Sequence, residues 1–444
     1  MFETLKQAFK VKEIRVKIYF TLLFLLFYRL GSFIPVPGIG NGLISDANLE
    51  NVTYLNIMNM MTGGSLASGT LFAMGIGPYI NASIIMQLLS VAIPSLERLS
   101  KQGEEGRKRI AQYTRYTTII LAIIQAVGII LNYNNNMFTS IDGGTPLYEM
   151  LFGQKWLAYI VVVLFYTAGT VITMWIGERI TENGVSNGIS LLIFAGIIAT
   201  VGQTFINMIS GIVSAGSSSD ELKNFWKVII MLVAIIAVFT CIVTVELAER
   251  KIPVQYAKQI RGQKMYGGQS TVIPIKVNGN GVLPLIFAFS ILSFPELIMT
   301  LFGVDMTSGF GLWWGTNMGA DSWVYMVVLS LLIIFFAYFY TSIQFNPDDI
   351  AKNIQQNGGF IMGIRPGRPT ADYLKKISGR ITLFGAIFLA LLALIPSLIF
   401  KAIDASSYGA FTATGMLICV SVALEFNTAL ESQIMMKNYR GFLK

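Results

Sequence analysis

Ten apolar runs of about 20 residues, the length a helix needs to cross a hydrocarbon core, leave this chain few options. They extend approximately from Ile18 to Phe33, Leu71 to Ile93, Thr117 to Asn132, Trp156 to Ile176, Gly188 to Ile209, Trp226 to Leu247, Val282 to Phe302, Trp323 to Ile343, Ile381 to Phe400 and Gly409 to Ala429. With 54% hydrophobic and 13% charged residues over 444 positions, the chain has more apolar surface than a soluble protein of this size can hide. The expected fold is an all-α polytopic membrane protein with ten transmembrane helices.

Positive charge orients them. The segment 1–17, the second, fourth, sixth and eighth connections and the tail 430–444 together hold 27 of the 32 Lys and Arg residues. These segments are therefore cytoplasmic, both termini included. The segment from Ile34 to Thr70 has neither Lys nor Arg and belongs outside. Residues 1–17 place Phe2, Leu5 and Phe9 on one face, the pattern of an amphipathic helix on the membrane surface.

Five runs fall in 18–209 and five in 226–429, joined by an outer Gly/Ser-containing hinge, 210–225. An odd number of crossings per half makes the second half enter from the other side, so the layout is that of an inverted repeat. The second and seventh helices then correspond, and both begin at Gly/Pro interruptions: Gly75, Gly77 and Pro78 in one, Gly281, Pro284 and, further on, Pro295 in the other. Paired interrupted helices mark a transport pathway.

The stretch from Asn59 to Pro94 enters the membrane through small residues, among them Gly63, Gly64 and Gly69, without a charge. Irregular backbone at membrane depth is tolerated only against protein or a water-filled cavity. Asn81, Ser83 and Gln87 give the following helix a face turned away from lipid. A plain spanning helix after a loop is the simpler alternative.

Two cytoplasmic loops exceed what a connection needs. In 248–281, KIPVQYA and TVIPIKV flank a glycine-rich stretch and predict a protruding hairpin with Arg261 and Lys264 near its tip. In 344–380, GGFIMGIRPGRPT predicts a shaped turn displaying Arg365 and Arg368. Basic loops can serve topology alone, but length and turn chemistry favour docking to ribosomal RNA phosphates or an acidic protein face.

The chain has no histidine, which excludes His-based zinc sites, Ser-His-Asp triads and histidine relays. Cys241 and Cys419 each lie in an apolar run and fit small core residues. No phosphate loop or HExxH is present, and Glu178, Glu246, Glu296 and Glu425 lie toward helix ends. A coupled transporter keeps an ionisable group at the midplane; Arg29, one turn from the outer end of its helix, can snorkel or bond neighbouring carbonyls. No catalytic residue, metal site or cofactor is expected.

Several stretches match one family's patterns: RLGSFIPVPG at Arg29 to Gly38, TLFAMGIGPYINASIIMQLL at Thr70 to Leu89, ITENGVSNGISLLIFAGI at Ile180 to Ile197, YGGQSTVIPIKVNGNGVLP at Tyr266 to Pro284, and GIRPGRPT at Gly363 to Thr370. Over essentially its whole length the chain resembles the SecY family, channel-forming subunits of the bacterial Sec protein translocase. One departure is Met362, where the family commonly has proline.

The resemblance implies two five-helix halves around a central hourglass pore. It implies a plug helix at about 59–66 (Asn59, Met60, Met61, Thr62, Gly63, Gly64, Ser65 and Leu66). A pore ring of Ile76, Ile80, Ile189, Ile193, Ile286 and Ile418 follows by motif position. A lateral gate lies between the second and seventh helices and their neighbours, the third and eighth, involving Asn81, Ser83, Gln87 and Pro284. The implied function is export of unfolded secretory polypeptides across the cytoplasmic membrane and side release of membrane segments into the lipid bilayer. The implied partners are SecE and SecG, the SecA motor, the ribosome, signal sequences and the translocating polypeptide. An accessory member serving few substrates, a small-solute secondary transporter and a pore-less insertion scaffold are the competing readings.

Overall fold

The computed structural model describes residues 2–37, 39, 53–100, 102–137, 153–213, 218–256, 259–261, 264–266, 270–279, 281–302, 309–319, 322–402 and 413–442. In chain order the helices are α1 (Phe2–Lys10), α2 (Lys12–Gly31), α3 (Thr53–Met61), α4 (Gly77–Ala92), α5 (Pro94–Ser100), α6 (Glu104–Met137), α7 (Lys155–Asn183), α8 (Gly188–Val213) and α9 (Ser218–Glu246). Strands β1 (Glu249–Tyr256), β2 (Gln259–Arg261), β3 (Lys264–Tyr266) and β4 (Ser270–Lys276) follow. The chain continues through α10 (Leu283–Leu301), α11 (Gly309–Met318), α12 (Trp323–Gln344), α13 (Pro347–Gln356), β5 (Gly359–Ile361), α14 (Arg368–Ala402) and α15 (Ala413–Phe442).

Each of the ten apolar runs overlaps one of these helices, although Leu71 to Ile76 form turns before α4 and 409–412 lie outside the described residues. Among the described residues, six helices are long and apolar enough to cross a membrane, or seven if α4 and α5, bent by 106° at Ile93, are taken as one span. The apolar stretches Leu232–Glu246 and Leu283–Glu296 are shorter.

Several helices outrun their apolar runs because charged residues extend them into water. At the start of α6, Glu104 and Glu105 favour the positive end of the helix dipole and pair with Lys108 and Arg109 one turn on, at 3.2 and 3.1 Å. At the start of α14, thirteen residues before Ile381, Arg368 follows a turn closed by the Thr370 hydroxyl donating to the Arg365 carbonyl at 2.9 Å.

The expected hinge loop is shorter than 210–225. α8 runs to Val213 and α9 starts at Ser218, so most of that segment is helical. The sequence SSSDEL supplies the serine and acidic residues that start a helix; residues 214–217 lie outside the described residues.

Buried side chains form separate clusters. One draws on Val36, Leu55, Met58, Leu66, α6 (Ala122, Ala126, Ile129) and α7 (Ala158, Val162, Tyr166). A second joins α9, α10, α12, α14 and α15, and takes in Ile84 of α4. A third holds Tyr28, Phe72, Ile76, Ile176, Ile193 and Ile418, and Ile80 and Val282 pack against both it and the second.

The helices are accompanied by a sheet that an all-α description omits. β1 pairs antiparallel with β4, Ile252 opposite Ile273, and on its other edge with β5, Gln255 opposite Phe360. The first long loop is thus the expected hairpin, and the second loop adds its edge strand. Alternation along β1 buries Ile252 and Val254 against Ile275, Ile354, Ile361 and Leu374. β5 pairs only with Val254 to Tyr256, so Pro253, which has no N–H to donate, sits beyond its reach.

Two expectations change. α1 packs on the protein itself: Leu5 and the buried Ala8 meet Leu430 and Ile434 of α15, Thr4 donates to Glu431, and Lys437 pairs with Glu13. Of the expected face, Leu5 lies against the C-terminal helix while Phe9 stays exposed. Cys419 is buried, but Cys241 is exposed on α9; its apolar run faces outward at that position.

Candidate functional site

The site starts with a short helix, α3, and an irregular turn. The helix ends at Met61, so of the expected plug helix 59–66 only Asn59, Met60 and Met61 are helical, and Thr62 to Leu66 form turns. Two glycines with positive φ, Gly63 at 71° and Gly64 at 86°, break the helix there. Asn59 organises the turn. Its side-chain oxygen accepts from the Ala67 N–H at 3.0 Å and its carbonyl from the Gly64 N–H at 2.9 Å. The Ser65 hydroxyl donates to the Thr62 carbonyl at 2.8 Å, and Ser65 in turn accepts from Thr70. Polar backbone that would be costly in a membrane is satisfied within the segment.

Three contacts seat this segment. The Arg29 guanidinium of α2 donates to the Gly63 carbonyl at 3.2 Å and stands over the Phe33 ring. Gly196 of α8 comes so close that a Cβ there would lie 1.9 Å from the Met61 carbonyl oxygen. Finally, the chain leaving the segment is tied to the stretch after α2, with the Leu71 N–H donating to the Ile34 carbonyl at 2.9 Å and a bridge between Pro35 and Thr70.

Next to the segment lie the isoleucines. Ile76, Ile193 and Ile418 share one buried cluster, with Ile80, Ile189 and Met61 packed against it. Ile286 borders the neighbouring cluster, which Ile80 also touches. Ile80 therefore links the group from α4, α8 and α15 to α10. Ile76 precedes the first turn of α4 and its carbonyl accepts from the Ile80 N–H at 3.1 Å, so both side chains leave one face.

Asn81, Ser83 and Gln87 lie on α4, Asn81 buried and the other two half-buried. The Gln87 side-chain oxygen is buried without a hydrogen bond. α4 reaches the cluster that includes α10 through Ile84, with Ile80 and Leu88 packed against that cluster, while α6 packs against both helices. Pro284, buried at the start of α10, lines a cavity of about 320 Å³ with Thr341, Thr382, Gly385 and Lys276, away from the α4 polar residues. Both helices start two residues after a positive-φ glycine: Gly75 at 49° and Gly281 at 58°.

On the sheet side, Arg261 and Lys264 pair across the β2–β3 hairpin. Arg365 is exposed in the turn after β5, where Gly363 and Gly367 have φ of 79° and 96°, and Arg368 is exposed at the first position of α14. Met362 is exposed at the same turn, and its sulfur accepts from the Gln255 side chain. An open cleft of about 490 Å³ runs beside Arg365, Gly359 and Gln355.

A model of the SecY family matches residues 70–427. Over 448 residues the chain is 41% identical to protein translocase subunit SecY of Streptomyces coelicolor, covering 100% of both. The chain belongs to the SecY family. The counterpart from Bacillus licheniformis is 42% identical over 446 residues, again covering 100% of both chains. Solved structures share the fold: that of a protein conducting channel at TM-score 0.63 and 20% identity, covering 94% of this chain and 91% of that one, and Sec61 in a canine ribosome-channel complex at 0.60 and 18%, with the same coverage.

Within this SecY-family chain, the residues that sequence reasoning missed are those that pack around the turn at 62–70 and the chain that leaves it. Gly196 matters through the side chain it lacks, and Phe72 by stacking on Tyr28 of α2 at 5.5 Å. Both stand inside family motifs, but nothing in an apolar run separates a seat from ordinary packing. Gln125 of α6, with both amide atoms buried and unbonded, carried a readable signal, a lone amide in an apolar helix.

Proposed function

We propose that this chain is the protein-conducting channel of a cytoplasmic membrane, moving unfolded secretory polypeptides across it and releasing apolar segments sideways into lipid. In this reading the ten apolar helices all cross, as two inverted halves, 18–209 and 226–429, with both termini and the sheet in the cytoplasm. The observation that carries it is the seated plug segment: the end of α3 and the irregular chain at 62–70, bonded largely within itself, with Met61 packed against a cluster of isoleucines from α4, α8 and α15. A static helix bundle needs no such segment.

The isoleucines Ile76, Ile80, Ile189, Ile193, Ile286 and Ile418 form the seal. They offer water and ions no hydrogen bonds, so a narrow ring stays dry, and without directional bonds they yield to a passing chain. The segment 59–66 is a movable second barrier. Opening between α4 and α10, with α6 and α12 alongside, gives the side exit. Asn81, Ser83, Gln87 and Gln125 bring polar groups to its first wall, and a buried amide without partners favours any state that hydrates it. Pro284 acts from the base of α10, not from the facing surface.

Driving force comes from outside the chain. Arg261, Lys264, Arg365 and Arg368 present cations toward a SecA motor or a ribosome, and SecE and SecG complete the membrane assembly. Relatives of this fold stand in ribosome complexes, which supports that use of the loops. Purified protein with these partners in sealed vesicles is the test. The reading expects a secretory polypeptide to become protease-protected inside on ATP addition, with no uptake of labelled sugars or amino acids. Solute uptake without polypeptide entry overturns it.

A further inference from the structure

α11 lies between α10 and α12 at their ends remote from the sheet. Its ten residues span about 15 Å, too short to cross a membrane. The sequence GFGLWWGTNM has no charge, and three large apolar side chains stand more than half exposed: Phe310 at 61%, Leu312 at 52% and Trp313 at 52%. Gly311 is buried, on the side where the helix meets α12. Phe310 stacks on Trp313 at 5.9 Å and also meets Trp314. Such a surface is expensive in water.

Two observations show what covers it. The exposed apolar stripe of α12, made by Val327, Leu331 and Phe335 at helical spacing, runs up to the exposed Trp323 on a helix long and apolar enough to cross a membrane, and α11 packs on that helix. In addition, the polar side chains of α11 turn back on their own helix. The Thr316 hydroxyl donates to the Leu312 carbonyl at 2.7 Å and the Asn317 amide to the Trp313 carbonyl at 2.9 Å. This hides polar groups as lipid contact requires and leaves little for a protein or water to bond. Indole rings favour the interface between headgroups and acyl chains.

We propose that α11 is a membrane foot: a short helix lying in the interfacial zone of the leaflet remote from the sheet, holding the ends of α10 and α12 at that depth. Its occupant is lipid, recognised by apolar and aromatic contact and not by headgroup charge. An opening that moves α10 then moves against a fixed point in the leaflet.

The test is depth-dependent quenching in the full-length chain. Trp156, Trp175, Trp226, Trp314 and Trp323 are replaced by phenylalanine, leaving Trp313, and the protein is placed in vesicles of phosphatidylcholine brominated near the headgroup or deep in the acyl chain. Shallow bromines should remove more emission than deep ones, with no effect of aqueous iodide. If that variant does not fold, the comparison is between the natural chain and Trp313→Phe, which should lose part of the shallow-quenched emission. Quenching by iodide and by neither bromine places α11 in water and overturns the proposal. So does bromine quenching that vanishes when the other membrane subunits are added, since a protein then covers the surface.

Discussion

In the proposed channel, the contact between Arg29 and Gly63 holds the closed state. A hydrogen bond from a charged donor is worth about 1.5–3 kcal/mol, and here it joins α2 directly to the plug turn at 3.2 Å. Arg29→Met should release about 2 kcal/mol of that hold, roughly a 30-fold shift toward the unplugged state, seen as more frequent openings in planar bilayers. Arg29→Lys keeps a cation and should recover part of the seal. Normal silence in Arg29→Met would remove the latch. The seal itself is tested by Ile80→Ser with Ile193→Ser: two hydroxyls wet the constriction, so ion leak should rise with a smaller change in polypeptide passage. Lower yield without new conductance would mean that these two side chains only pack. Sequence alone showed that Arg29 sat near a helix end and could reach a carbonyl. It could not show which one, because the partner is 34 residues away and offers only backbone.

At the scale of elements, local pattern was a good guide wherever one segment decides its own shape. The alternation in KIPVQYA and TVIPIKV led to the hairpin, and the Gly/Pro interruptions to the starts of α4 and α10. Pairing between distant segments was not readable: β5 is three residues long, and its place beside β1 depends on Ile361 joining Ile252 and Leu374 in one small core. The face of α1 was visible, but not that Leu430 and Ile434 would pack against Leu5 on it. This joint sheet fixes the turn that carries Arg365, so a charge change there acts on docking and leaves the core alone. Arg365→Glu should lower motor-driven export about tenfold or more, the scale of one lost bidentate, charge-assisted contact, with unchanged membrane insertion and thermal stability. Arg365→Lys should fall between, since an ammonium cannot make the paired contact. Full export by the Glu variant would exclude Arg365 from the docking surface.

For the whole molecule, the sequence supplied the ten apolar runs and their even split, because hydropathy and charge are summed over many residues. It did not supply the depth of each helix: α10 has a 14-residue apolar part, Leu283–Glu296, and its neighbours decide whether it crosses. The proposed side exit requires α4 to separate from α10, two helices that share a buried cluster through Ile84 on one and Leu285 and Ala288 on the other. The most direct measurement pairs a cysteine at Ile84 with one on the facing surface of α10, in a chain with Cys241 and Cys419 replaced by alanine. Polypeptide entry into vesicles is followed before oxidation, after it, and after reduction. The crosslinked channel should stop passing polypeptide and recover when the bond is reduced. Undiminished entry through fully crosslinked protein would contradict the proposed side exit.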